Sequence, residues 1–142
     1  TLDEQNHAKL KKSFLSAKLS NELEQKLRQL LKVIKQPIAV RSSGLFEDSL
    51  AQPFAGIFDT YLLPNNHPRL SVRLTQLSDA IKLVYASVYS PTVKGYAKAI
   101  GYKLEDGKMA IIIQEVVGEQ HGNLFYPHIS GVAQSYNYYS FA

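Results

Sequence analysis

Apolar residues recur at steps of mostly three and four from Leu10 through Phe14, Leu19, Leu23, Leu27, Leu30 and Leu31 to Ile34. That spacing lays one stripe along an amphipathic helical region. Asn21 and Glu24 have the separation of a capping box, which predicts a break near Ser20 and two helices instead of one. Pro37 ends the region. Ile38-Ala39-Val40 is short and β-rich and predicts a buried strand, and the polar group Arg41-Ser42-Ser43-Gly44 predicts a loop continuing through Pro53. From Gly56 to Leu63 the side chains alternate. Ile57, Asp59 and Tyr61 share one face and Phe58, Thr60 and Leu62 the other, as in a strand with both faces occupied.

Pro64-Asn65-Asn66-His67-Pro68 is rich in turn formers, and after it Leu70, Leu74, Leu77, Ile81, Val84 and Val88 trace a long helix. Ser90 before Pro91 fits an N-cap with proline in the first turn, Val93, Tyr96, Ala97 and Ile100 supply a face, and Gly101 a stop. Asp106-Gly107 is a hairpin signal between Tyr102 to Leu104 and the run Met109 to Val117, which predicts a central strand. Gly118 to Asn123 predicts a loop, and Ser130 to Tyr139 is β-prone through Val132, Tyr136, Tyr138 and Tyr139. The pattern is that of an α+β fold with a helical segment over residues 1–36 and a body over 37–142.

Composition narrows the classes. The 142 residues include no Cys, which excludes disulfides, iron–sulfur clusters and thiol nucleophiles and permits an intracellular, cytoplasmic location. The longest apolar run, Met109 to Ile113, is far short of the roughly 20 residues that cross a bilayer. The formal charge of +4 resides entirely in residues 1–36, with eight basic side chains against four acidic ones, and the body is balanced. The basic excess on one helical face, without a stripe of stacking aromatics, argues against nucleic acid as a partner. The start at Thr1 and the stop at Ala142 inside an aromatic run suggest a piece of a longer chain.

Three places carry polar residues that a packed core does not need. Arg41, with Ser42 and Ser43, follows an apolar strand, and its planar guanidinium can fork onto phosphate oxygens or pair with Glu47 or Asp48. In Phe54-Ala55-Gly56-Ile57-Phe58-Asp59-Thr60, small residues let backbone N–H groups approach an anion and Thr60 adds a hydroxyl; the same glycine would also relieve a tight bend. Gln114-Glu115-Val116-Val117 closes an apolar strand. Its backbone can meet an adenine edge beside an apolar slot, or the strand simply emerges into water there.

Together, Val40-Arg41-Ser42-Ser43, Glu47-Asp48, Phe54 to Leu62, Met109 to Val117 and Ser130-Gly131-Val132-Ala133 resemble, in order and spacing, the nucleotide-binding domain of the phosphoenolpyruvate synthase and pyruvate phosphate dikinase family. The resemblance runs from about Pro37 to Ala133. It implies part of an ATP-grasp fold, a mainly antiparallel sheet with packed helices, truncated at its C-terminus. It also implies a cytoplasmic phosphotransferase that uses ATP and Mg²⁺ to phosphorylate a carrier His on another domain of the same chain, and then pyruvate. By that resemblance Arg41 holds ATP phosphates and is the catalytic residue of the set, Gly56, Ile57, Phe58, Asp59 and Thr60 line the phosphate loop, and Gln114, Glu115 and Val116 meet the adenine. The family's N-terminal lysine, its Mg²⁺ ligands and its carrier-His domain have no counterpart in this stretch, so no metal ligand is assigned and the stretch alone should not transfer phosphate. Gln134-Ser135 departs from the family's usual continuation and points to a divergent branch. Relatives acting on an antibiotic or a glucan, or a non-catalytic nucleotide sensor, are the alternatives.

His7, His67, His121 and His128 show no metal-ligand spacing, fall in predicted loops or near a terminus, and are expected to be solvated or turn residues, none of them the phosphorylated His. Glu47 and Asp48 are expected to be a structural pair for Arg41, since phosphoryl transfer leaves a protein mostly positioning work. Tyr136, Tyr138 and Tyr139 read as half of a core.

Overall fold

The computed structural model describes residues 2–44, 56–101, 103, 108–131, 133 and 135. In chain order these form α1 (Leu2–Ser16), α2 (Asn21–Val33), β1 (Ile38–Gly44), β2 (Tyr61–Leu63), α3 (Leu70–Ser87), α4 (Pro91–Ala99), β3 (Met109–Glu115), β4 (Glu119–His121) and β5 (Leu124–Tyr126). The architecture is α+β. Antiparallel strands in the order β2-β1-β3 make one sheet, and β4 and β5 form a separate two-stranded hairpin.

The helical region does break near Ser20, but the cap is Ser20 itself, whose Oγ accepts from the Leu23 amide at 3.2 Å. Leu27 and Leu31 of α2 are buried together with Ile38 and Val40 of β1 and with Leu74, Leu77, Ala80, Ile81 and Val84 of α3. α3 therefore lies across one face of the sheet, with α1 and α2 packed on it. α1 buries no residue completely. It is attached by Phe14 against Tyr89, with ring centroids 6.2 Å apart, and by Lys82, which reaches the Leu15 carbonyl at its C-terminal end at 3.0 Å. α4 starts as expected, with Ser90 Oγ accepting from the Val93 amide and Pro91 in the first turn.

Four expectations are corrected. β1 does not stop at Val40: Arg41, Ser42, Ser43 and Gly44 stay in the sheet because β3 pairs with β1 over its whole length, from Ile38 with Glu115 to Gly44 with Met109. The strand expected from Gly56 is reduced to Tyr61–Leu63, since the Asp59 amide donates to Ser87 Oγ on α3 and not to β1. The central strand is β1; among the described residues β3 pairs with β1 alone. Finally, Gly118 to Asn123 is no plain loop but contributes β4 and the hairpin tip. The Asp106-Gly107 turn, Glu47, Asp48, Val132, Gln134, Tyr136, Tyr138 and Tyr139 lie outside the described residues.

Candidate functional site

Alternation along β1 sorts its side chains between two environments. Ile38, Val40 and Ser42 are buried under the helices, so Ala39, Arg41 and Ser43 face the other way. Directly paired residues share a face, which adds Ala110, Ile112 and Gln114 of β3 and Leu62 of β2 to that outer surface. Arg41 stands opposite Ile112 and diagonal to Gln114. It is exposed, and among the described residues no carboxylate pairs with it. Leu62 and Ile112, 70% and 41% exposed, give the same surface an apolar floor. Two of the three places singled out in the sequence thus share one open sheet face.

The third reaches its edge. Tyr61 pairs with Val40 in the antiparallel direction, so Gly56 to Thr60 precede β2 at the Arg41–Gly44 end of the sheet. Gly56 has φ 73°, and a Cβ there would touch nothing within 4 Å, so glycine is required by the backbone conformation and not by space. Ile57 and Phe58 are half-buried and Thr60 is exposed. Near this end a shallow cavity of about 440 Å³ is lined by Ser43, Gly44, Lys108, Met109 and Ala110. Lys108, which the sequence reading did not single out, brings a second cation to the end of β1 that follows Arg41. Its only signal was its position directly before an apolar strand.

At the opposite end, the Val116 amide donates to the Pro37 carbonyl at 2.8 Å. This bond sets the phase of the ladder, because hydrogen-bonded and non-hydrogen-bonded pairs alternate in antiparallel strands. Gln114 therefore bonds back to Ala39, while Glu115, like Ile113, turns its backbone N–H and C=O outward from the edge of β3. Gln114 presents its side chain on the outer face, Glu115 presents its backbone at the rim, and Val116 has already committed its N–H.

Asp59 is directed elsewhere. Its carboxylate accepts from the Tyr61 hydroxyl at 3.1 Å and pairs with Lys11 of α1 at 3.4 Å. Burial and the neighbouring Asp59 charge push the Tyr61 hydroxyl up to about 12. This cluster lies on the helical side of the sheet with Ser87, which is fully buried. His7, on α1 near the terminus, has its Nδ1 enclosed without a hydrogen-bond partner, and burial, Lys11 and Lys94 hold it below the ordinary histidine value.

Two of the other histidines meet in space. Although their spacing in the chain carries no metal signature, the β4–β5 turn brings His121 and His128 together with Glu119, one donor atom of each lying within 4.8 Å of the others. This set does not fit the Mg²⁺ that the family resemblance implies, because that ion takes oxygen ligands and these are mostly imidazole. Among the described residues it is the one such trio.

Among the described residues, the sheet thus presents an outer face with a guanidinium, an apolar floor and an unpaired backbone rim, in an α+β domain. The chain belongs to the family of pyruvate phosphate dikinase AMP/ATP-binding domains, whose model matches residues 2–141. The matched span takes in α1 and α2 as well as the sheet. That family description makes it an AMP/ATP-binding domain of the pyruvate phosphate dikinase type. A search of curated proteins gives no match. Among the described residues no helix is long and apolar enough to cross a membrane.

Proposed function

We propose that ATP lies along the outer face of the β2-β1-β3 sheet as on one half of an ATP-grasp clamp, with its adenine at the Glu115 rim and its phosphates toward Gly44. The observation that carries this reading is the shared exposed face of Arg41, Ile112 and Gln114. From Ala39, the partner of Gln114, to Ser43 is four residues, or about 13 Å of strand at roughly 3.3 Å per residue, a span suited to an extended nucleoside triphosphate. Arg41 forks onto phosphate oxygens, Lys108 adds charge at the far end, and the Gly56 to Thr60 turn contributes backbone amides and the Thr60 hydroxyl. The backbone of Glu115 meets the purine edge beside Gln114 and Val116. Asp59 acts from behind, holding this turn against α1 and α3.

In the full-length parent, a cytoplasmic phosphoenolpyruvate-synthase-like phosphotransferase, this half would join Mg²⁺ ligands and a carrier-His domain elsewhere in the chain and pass the phosphoryl group to pyruvate. The helical segment 1–36 would brace the body, residues 37–142, from behind the sheet. Two cations are few for a polyphosphate, so the chain alone should bind ATP weakly and transfer nothing.

Calorimetric titration with ATP tests this reading. Arg41→Ala should weaken binding by about 1.5–3 kcal/mol, the range for a hydrogen bond to a charged group, and in the parent should abolish ATP-dependent autophosphorylation while the far-ultraviolet spectrum stays unchanged. Thr60→Val should weaken binding by about 1 kcal/mol. Equal affinity in Arg41→Ala would overturn the assignment.

A further inference from the structure

Glu119 and His121 stand two residues apart on β4 and so share one face of the hairpin, and His128, two residues beyond the end of β5, returns to it. His128 Nε2 is 3.7 Å from Glu119 Oε2. The His121 ring stacks on Tyr126 with centroids 4.1 Å apart and planes at 17°, and His128 meets its edge at 5.6 Å and 73°. Rings, not hydrogen bonds, therefore fix the orientation of His121. Its Nε2 is enclosed and has no hydrogen-bond partner, a costly state for a polar atom that coordination would relieve.

We propose that Glu119, His121 and His128 bind one divalent transition-metal ion, zinc foremost, which staples the β4–β5 hairpin to the segment that follows it. Two imidazoles and one carboxylate are a zinc-type donor set that leaves one position for water. Tetrahedral donors about 2.0–2.2 Å from a common ion lie roughly 3.3–3.6 Å apart, so a trio within 4.8 Å must close by up to about 1.5 Å, a side-chain adjustment. Glu119 and His128, both about two-thirds exposed, are free to supply that adjustment. The hairpin also needs a staple. It is a sheet of its own, and a two-stranded hairpin alone is marginal in water. Gly118 fixes its entry, since a Cβ there would lie 2.8 Å from the Phe125 ring and the Tyr126 backbone, and β4 meets residue 128 only through the exposed Glu119–His128 pair and the His121–His128 ring contact among the described residues.

The test is calorimetric titration of the whole chain with ZnCl₂, backed by the visible spectrum of the Co²⁺ form and by amide exchange over residues 119–128. A single equivalent should bind, and those amides should gain protection on binding. His128→Ala should weaken Zn²⁺ binding by more than the roughly 10–100-fold that loss of an outer-shell partner costs, and Glu119→Gln should do the same. A large excess of Mg²⁺ should not displace the ion. His128 is an exposed side chain, so its variant keeps the test decisive even if His121→Ala disturbs the Tyr126 stack. Absence of stoichiometric binding, displacement by Mg²⁺, or affinity unchanged in His121→Ala/His128→Ala, which would assign the ion to His7 or His67, would each overturn the proposal.

Discussion

Asn65 closes the C-terminal end of α2 from a distance of about thirty residues in the chain. Its Nδ2 donates to the Ile34 and Gln36 carbonyls at 3.1 and 3.0 Å, and its Oδ1 accepts from the Arg73 guanidinium, which also donates to the Leu31 carbonyl. The last carbonyls of a helix have no partners within it and carry its negative dipole end, so a buried guanidinium and an amide suit the place. Asn65 adopts φ 53°, which asparagine tolerates better than most residues. Asn65→Gly keeps that conformation available and removes only the side chain. It should cost about 1–3 kcal/mol in urea denaturation, the price of buried groups left unpaired. A loss within experimental error would show that water replaces the amide. In the sequence Asn65 was legible only as a turn residue, because its partners lie on an element that local spacing cannot bring beside it.

At the level of elements, caps were readable and ladders were not. Ser90 with Pro91 announces α4 through side chains that act within one turn, and the stripe of α3 follows from its own periodicity. Arg41 to Gly44 looked like a loop because the residues that keep it extended, Met109 to Ile112, come more than sixty positions later. Conversely, Gly56 to Thr60 alternated as a strand does, and Asp59 and Tyr61 do share a side, yet Ser87 takes the Asp59 amide and the ladder ends. His7 makes the attachment of α1 depend on pH. His7 is held below 6.5 by burial first, then by Lys11 and Lys94, against the opposing Asp59. Its folded value lies below its unfolded one, so this contribution is fully present above about pH 6.5 and is lost as pH falls through the lowered value. Protection factors across α1, with the intrinsic pH dependence of amide exchange divided out, should therefore fall on going from neutral pH to pH 5, and His7→Gln should flatten that response. An identical pH profile in the variant would assign the effect to another group.

For the molecule as a whole, the sheet divides core-facing from outward-facing residues with a period of two. Ile38, 1% exposed, faces α3, and Ile38→Ala should cost about 2–5 kcal/mol in denaturant unfolding. Arg41→Ala, three residues on and facing outward, should change stability by no more than about 0.5 kcal/mol. A large loss from Arg41→Ala would mean that the outer face is packed against something in solution. The α+β class and the family were legible because apolar periodicity and the Arg41 to Leu62 block are local; the positions of Lys108 and the Glu119, His121 and His128 trio were not, since only pairing and the hairpin turn create them. Because the alternation on β1 and β3 separates the two faces, Ala39, Ser43, Ala110 and Ile112 can be randomised together without entering the hydrophobic core. On the proposed placement of ATP, such a library offers a route to altered purine preference in which selection acts on recognition while foldability is held constant.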